Sequence, residues 1–462
     1  MKKVILTVTR GGIARNLLQN DFYEVLTRSF DVVIMSTAAK DPHFIEMFER
    51  HNVRFLEIQE QDHTWSDRLL FFFHKNLIYN QTVDQKNHWG PIGTKNSIKP
   101  SYISYLTKKI IFIPISRLIF LRDLVRLLDD LFLQKSEVAQ YHEVLLKEKP
   151  DLIVSTNISA DTEAALIKAA RRLKIRTVGM PKSWDNTSKH GFRVKTDVFV
   201  VWNEFMKEQA IRLQNYRLDQ VAVIGIPQFD YYVDKSRIWS REKFCELYGL
   251  DPARKIIMFG SEGGKFPTDG DIAAIIAEQI HQGRFHRPCQ LLVRPHYGYK
   301  NDDLKFKSVF GKALVSVDRF NKPSANFRDE WDYSRDFMDR FLNTLYHSDI
   351  AISTCSTLAL DAVAFDKPLI SIGFDGDDDQ PYERSLRRWY ETQYYSAVIK
   401  TGAIEVASSR EKLASLIDQY LNHPEFKSKE REILRQKFVY PFDGQAGRRL
   451  ADLVIANLER GR

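Results

Sequence analysis

Apolar and polar positions alternate along this chain in two rhythms. Short continuous apolar runs close on small or polar residues, and between them apolar residues recur at every third and fourth position. The first runs are Lys3–Val8, Asp31–Ser36 and Asn52–Ile58, with a helix predicted over 13–30. Later runs are Asp151–Ser155, Arg176–Met180, Asp197–Trp202 and Gln220–Ile224. After a link near Tyr231–Arg241 the pattern restarts with Lys255–Phe259, Gln290–Arg294, Asp349–Ser353 and Pro368–Gly373. Further helices are predicted over 161–173, 272–282, 337–348 and 358–365. Continuous apolar runs are what strands covered on both faces look like, and their alternation with helices predicts parallel sheets. The expected architecture is α/β, with two doubly wound Rossmann-like units in tandem. The first spans 1–234 and the second 235–446, and ligands are expected in the cleft between them, beyond the strands' carboxyl ends.

Leu69 to Gln134 breaks this rhythm, as an insertion at about 60–140 in the first unit. Segments such as "KKIIFIPISRLIFLRDLVRLLDDLFL" carry apolar residues at helical spacing with Lys and Arg between them. Two readings stay open: core-facing helices, and a basic, apolar surface that meets an anionic membrane or a lipid-linked acceptor. Pro114 argues against one long helix lying on a membrane. No stretch approaches the roughly 18 apolar residues of a membrane span. Val4–Val8 is too short for a signal-peptide core and reads as a buried strand.

Composition narrows the chemistry further. The 462 residues suffice for two cores without staples, and three cysteines are too few and too scattered for a disulfide framework or a zinc site. That fits a reducing cytoplasm. A net charge of +8 suits anionic partners. No zinc finger, RNA-binding signature or polybasic tail marks a nucleic-acid binder.

Several strand ends carry polar clusters. "STCSTLALD" sets Ser353, Thr354, Ser356 and Thr357 where a strand opens a helix, and hydroxyls there cap free N–H groups and admit a phosphate. Asp361 lies one turn further, within reach of a sugar or ribose hydroxyl. "GSEGGK" sets Gly260, Ser261 and Lys265 after another strand; it is no Walker loop, yet a Gly-rich turn with one Lys accepts a diphosphate. "RPHY" places Arg294 and His296 at a third strand end, and the Arg fork suits phosphate. These ten residues form the expected donor site. "KSWDNTSKHG" crowds Ser183, Trp184, Asp185, Asn186, Lys189 and His190 after a strand of the first unit. It is expected to hold an acceptor, with Asp185 or His190 as base. Arg10, Gly11 and Gly12 end the first strand and face the same cleft. Asp375, Asp377, Asp378 and Asp379 lack EF-hand spacing and read as a solvated acidic loop.

"VWNEFMKEQAIRL…VAVIGIPQFDYY", "RPH", "STCSTLALDAVAFDKPLISIGFD", "SWDN…KHG" and "FVYPFDGQAGRRLADLVIANL" together resemble the GT-B superfamily. Within it, they are most similar to bacterial surface-carbohydrate glycosyltransferases and CDP-glycerol glycerophosphotransferase-like proteins. The likeness runs from about Asp151 to the C-terminus and does not cover Leu69 to Gln134. It implies a nucleotide-activated donor held mainly by the second unit, an acceptor held mainly by the first, and no metal or other cofactor. On that basis Arg294, Ser356, Thr357 and Asp361 contact the donor, with Gly260, Ser261 and Lys265 nearby. A last helix over 447–462 crosses back onto the first unit. Two departures favour sugar over polyol-phosphate transfer: His296-Tyr297 where the phosphotransferases show His-Pro, and Ser353–Thr357 where they show Asp-Tyr-Ser-Ser. The sugar-nucleotide epimerases' Ser-Gly-Gly at this helix start is also absent. The expectation is therefore a metal-independent glycosyltransferase, cytoplasmic or peripheral at the inner membrane face, building a surface glycan such as capsule or lipopolysaccharide. The alternatives are a polyol-phosphate transferase and a silent glycan-binding scaffold.

Overall fold

Two all-parallel sheets carry the fold. The computed structural model describes residues 1–58, 64–91, 99–266, 268–320, 327, 329, 331–377 and 380–459, without the side chain of Lys265. The first sheet holds β1 Lys3–Val8, β2 Asp31–Ser36, β3 Val53–Glu57, β4 Leu152–Ser155, β5 Arg176–Gly179, β6 Val198–Val201 and β7 Val221–Val223. Its order is β3-β2-β1-β4-β5-β6-β7. The second holds β8 Lys255–Gly260, β9 Cys289–Arg294, β10 Val315–Val317, β11 Ile350–Ser353, β12 Leu369–Ile372 and β13 Ile404–Ala407, in the order β10-β9-β8-β11-β12-β13. Both sheets reverse winding direction beside their first strand, between β1 and β4 and between β8 and β11. Those are the switch points where doubly wound folds bind ligands.

The strands form because their side chains are buried on both faces: Val4, Ile5, Leu6, Ile257, Met258 and Leu291 are fully inaccessible. Each such side chain contributes about 1.5–3 kcal/mol by leaving water. The helix Asp161–Arg172 has Asp161 and Glu163 in its first turn and Arg171 and Arg172 in its last, matching the helix dipole. Glu163 is buried and accepts from the hydroxyls of Thr7 (2.7 Å), Thr9 (2.9 Å) and Ser155 (2.7 Å). One carboxylate thus pins the carboxyl ends of β1 and β4 at the switch point.

The helix predicted over 13–30 is two helices, Gly11–Leu17 and Asp21–Ser29. Asn20 starts the second by accepting from the Phe22 N–H at 3.0 Å. The last helix, Ala446–Glu459, packs against Asp21–Ser29. Its first N–H groups, from Ala446 and Gly447, donate to Asp230 at 2.9 and 2.6 Å.

The broken stretch folds as the helices Trp65–Asn76, Gln81–Trp89, Tyr102–Ser116 and Phe120–Phe132. A buried ion cluster fixes them to the first sheet's helices. Asp129 accepts from His74 (3.0 Å), Lys168 (2.5 Å) and Arg193 (2.9 Å). Arg122 donates to the carbonyls of Leu77 (3.0 Å), Ser116 (2.8 Å) and Arg212 (2.6 Å), so one cation satisfies the carboxyl ends of three helices. The core-facing reading does not hold throughout: Leu124, Leu127 and Leu131 lie exposed. Among the described residues no helix is long and apolar enough to cross a membrane. Cys245, Cys289 and Cys355 are buried and form no disulfide with one another. The acidic loop is not simply solvated: Asp375 is buried and accepts from the Leu386 N–H at 2.8 Å, and Asp377 pairs with Arg410. Asp378 and Asp379 lie outside the described residues.

A cationic cleft between the two sheets

The carboxyl ends of the two sheets face each other across a cleft of about 610 Å³. Its walls come from the turns after β1, β5 and β6 on one side and after β8, β9 and β11 on the other. Arg10, Arg15, Lys182, Lys189 and Arg294 line it, with Asp185, Glu262, Asp329 and Asp361. Two of the carboxylates sit in ion pairs with lining lysines, Asp185 with Lys189 and Asp329 with Lys182 (3.5 Å).

Arg294 ends β9 and is only 8% exposed. Its guanidinium lies 3.8 Å from the Phe341 ring centre and 4.4 Å from that of Tyr297. These faces hold the fork in place without using its N–H donors. Its buried Nε has no hydrogen-bond partner, and the guanidinium makes no ion pair among the described residues. Such a group is set for a bidentate anion. Tyr297, the departure from His-Pro, is locked by its hydroxyl donating to Asp318.

Arg15 projects from the helix Gly11–Leu17 and donates to Gln228 at 2.9 Å, its guanidinium 4.5 Å from the Trp331 ring centre. It is near enough to Arg294 for each charge to oppose the other. Asp361 is buried within range of both charges and accepts from Tyr232 (2.6 Å) and Gln228 (3.3 Å). Burial pushes its carboxyl up to about 6, against the Tyr232 hydrogen bond and the Arg15 and Arg294 charges. It lines the cleft, but its first partner is a protein hydroxyl.

The turns after β8 and β9 share an anchor. Ser261 donates to Asp302 at 2.7 Å, and the His296 N–H donates to the same Asp302 oxygen at 2.7 Å. Lys305 pairs with Asp269 (3.0 Å) and Asp302 (2.9 Å). Ser261 touches the cleft, yet its hydroxyl belongs to this anchor. Gly263, at φ +72°, holds the turn in the left-handed region, where an added Cβ would strike the Tyr299 ring at 2.2 Å. His296 lines the cleft; its Nδ1 accepts from the Gly298 N–H at 3.1 Å, which puts the neutral ring's proton on Nε2. Gly260, Ser356 and Thr357 also line the cleft. Ser353 and Thr354 do not: both are buried behind it, where the Ser353 hydroxyl donates to the Thr354 carbonyl at 3.0 Å. The expected part for Lys265 falls on a side chain outside the described residues.

On the opposite wall Ser183, Trp184, Asp185, Asn186 and Lys189 line the cleft. Trp184 differs from an open stacking platform: it is 2% exposed and donates from Nε1 to Thr357 at 3.2 Å. It therefore ties the two walls together. His190 is a correction. It lies outside the cleft, against Phe71 at 5.1 Å between ring centres, with Nδ1 on the Gly191 carbonyl at 3.1 Å. Burial pulls its ring down to about 4. Asp185 is the expected base that does reach the cleft. Arg10 and Gly12 line it, whereas Gly11 is covered: an added Cβ would meet the Trp331 carbonyl at 2.7 Å, and its N–H donates to Asp329 at 2.9 Å.

Sequence reading missed Arg15, Lys182, Glu262, Asp329 and Trp331. Lys182 sits two positions from Trp184, inside a peptide already singled out, and was legible. Asp329 and Trp331 were not, because they follow no predicted strand. Among the described residues no group of three or more His, Cys, Asp or Glu side chains could hold a metal ion.

The sequence pattern of the CDP-glycerol:poly(glycerophosphate) glycerophosphotransferase family matches residues 178–456. No curated protein matches the chain. Solved structures of similar fold include a UDP-GlcNAc 2-epimerase from Neisseria meningitidis bound to UDP-GlcNAc (13% identity, TM-score 0.56, 100% of both chains). A glycosyltransferase from Rickettsia africae is also similar (13% identity, TM-score 0.53, 100% of this chain and 99% of that one). So is a UDP-GlcNAc 2-epimerase from Methanocaldococcus jannaschii (13% identity, TM-score 0.53, 99% of this chain and 100% of that one). The fold is GT-B-like along the whole chain.

Proposed function

The chain belongs to the CDP-glycerol:poly(glycerophosphate) glycerophosphotransferase family, and from that premise we propose that it is a transferase moving a sugar from a nucleotide-diphosphate donor onto an acceptor hydroxyl. The observation that carries this reading is Arg294, a buried guanidinium stacked on aromatic rings and in no ion pair with a carboxylate among the described residues. The donor diphosphate would lie across Arg294 and Arg15 beside Ser356 and Thr357. The acceptor, a surface glycan or lipid-linked sugar, would meet Ser183, Asn186 and Asp185. In an inverting transfer the acceptor oxygen bonds to the anomeric carbon, the bond from that carbon to the diphosphate breaks, and the acceptor proton passes to Asp185. The charge that develops on the departing diphosphate is met by fixed cations, the largest electrostatic contribution such a site offers. Metal-independence is part of the proposal, since arginines stand where a metal would neutralise phosphate.

Polyol-phosphate transfer is the second reading, favoured by family membership itself. Sugar transfer is supported by the replacement of His-Pro with His296-Tyr297, where Tyr297 serves to hold Arg294. His296 lines the same wall, with its Nδ1 taken by the Gly298 N–H.

The proposal predicts that one nucleoside diphosphate, with EDTA present, raises the melting temperature of the purified protein. At about 100 times its dissociation constant the stabilisation is roughly 2.7 kcal/mol. No shift with UDP, GDP, CDP, CMP or their activated derivatives would favour a silent scaffold.

A further inference from the structure

The helix Gln81–Trp89 belongs to the first unit and lies outside the stretch that the family pattern covers. Its last carbonyls, like those of any helix, lack partners within it. They find one in the second unit, 298 residues further along the chain. Arg388 donates from Nη2 to the carbonyls of Gly90 (2.8 Å) and Gln85 (3.1 Å), and from Nη1 to that of Glu383 (2.7 Å). Its positive charge meets the negative end of the helix dipole. The exchange is mutual. The helix Gln393–Ile399 of the second unit opens with a free N–H at Gln393, and the Thr82 hydroxyl accepts it at 2.9 Å. Around these two caps Gln85 donates to Glu391 at 2.5 Å and Ser396 donates to Gln81 at 3.2 Å. Trp89 stands edge-on to Tyr382 at 5.0 Å between ring centres.

The same segment of the second unit, 382–396, forms part of the cleft. Trp389, Tyr394 and Tyr395 line it. Tyr394 stands edge-on to Trp184 at 5.5 Å, and the Lys189 Nζ lies 5.5 Å from its ring centre. The seat of this segment on helix Gln81–Trp89 thus bears on three rings of the cleft wall.

Another contact between the units is apolar. Phe327 and Tyr333 of the second unit are buried against Phe44 of the first, at 5.5 and 5.7 Å between ring centres. It lies near the link, where Tyr231 donates to Asp339 at 2.8 Å. Opening it would expose aromatic surface to water. The contact at Arg388 is polar instead. Arg388 is 1% exposed, its Nε has no partner, and among the described residues its other donors meet carbonyls and no carboxylate. Burial pulls its guanidinium down to about 10. A buried cation without an anion is costly, and the cost disappears when water reaches it. This contact is therefore the one that opens at low cost.

We infer that helix Gln81–Trp89 and segment 382–396 form a reversible clasp that holds the cleft closed, with Arg388 as its positioning residue: it touches no substrate and sets where Trp389, Tyr394 and Tyr395 stand. The clasp stands on this geometry; its effect on a donor rests on the proposed transfer. Apparent affinity scales with the closed fraction, so a weakened clasp raises Kd and KM together and leaves kcat unchanged.

Two measurements on the full chain test it. Without ligand, small-angle X-ray scattering should give Arg388→Met a larger radius of gyration than the wild type. Hydrogen exchange should quicken over 81–90 and 389–396, while Lys3–Val8 and Lys255–Gly260 stay protected. With UDP, GDP and CDP, and with the activated donor in transfer, Arg388→Met should raise Kd and KM about tenfold as the closed fraction falls to about a tenth. Arg388→Lys, which has fewer donors, should fall between it and the wild type. Thr82→Val, in the other unit, should act in the same direction and add little to Arg388→Met, because both break one contact. Thr82→Val also carries the test if Arg388→Met does not fold. An unchanged radius with unchanged exchange over 389–396 in a folded variant overturns the clasp. So does a lower melting temperature with Kd and KM unchanged, which would make Arg388 merely structural. If the variants open but no protein binds a nucleotide, the transfer proposal fails and the clasp stands.

Discussion

Replacing Arg294 with alanine is expected to lower kcat/KM by about 10²–10³, the loss seen when one fixed donor to a developing charge is removed. The reason is local. The Arg294 fork is held by Phe341 and Tyr297 rather than by hydrogen bonds, so its donors remain for the ligand. Lysine at this position should not rescue, because an ammonium neither stacks flat on those rings nor binds two oxygens in a plane. Circular dichroism and the melting temperature of each variant separate this from unfolding. A folded Arg294→Ala protein with wild-type kcat/KM would remove the diphosphate from this wall.

Asp129→Asn is expected to destabilise the protein by roughly 3–5 kcal/mol, measured by denaturant unfolding. It leaves Lys168 and Arg193 buried without their shared anion. His74→Gln should cost less, since a neutral imidazole leaves no charge behind. The same cluster sets an acid limit. Burial alone would raise the Asp129 carboxyl, but the His74 hydrogen bond and the Lys168 and Arg193 charges outweigh it and hold it well below the usual carboxylate range. A carboxylate depressed in the folded state contributes fully above its unfolded value of about 3.9 and loses that contribution as pH falls towards the folded value. The stability difference between wild type and Asp129→Asn should therefore be constant at neutral pH and shrink below about pH 4. A difference that does not depend on pH in that range would show that Asp129 is not the cluster's anion.

The strands at the centre of both sheets were legible because burial on two faces leaves an unbroken apolar run. β1 and β2 match their predicted bounds, and the other predicted strands differ only at their ends. β10 and β13 were not read. Each is an edge strand of three or four residues with partly exposed side chains, so neither carries that signal. The break at Asn20 was missed because the apolar spacing continues through it; the Asn-Asp pair was the available sign of a cap. In the cleft, residues at strand ends were found because chain geometry puts every strand end on one edge. What the sequence did not reveal depends on contacts between distant segments. Asp361 was read as facing a ligand, and Tyr232 meets it first. His190 was grouped with Asp185, yet the chain turns after Lys189 and carries its ring to Phe71. The helix Phe120–Phe132 was visible as periodicity, but periodicity alone does not say that Arg122, Arg126 and Asp129 are buried and Leu124, Leu127 and Leu131 exposed.

The most direct test is the identity of the nucleotide released during transfer to a glycan or lipid-linked acceptor, with EDTA present. Sugar transfer predicts a nucleoside diphosphate in step with a new glycosidic bond. Release of CMP with a new phosphodiester would contradict it and make the protein a polyol-phosphate transferase.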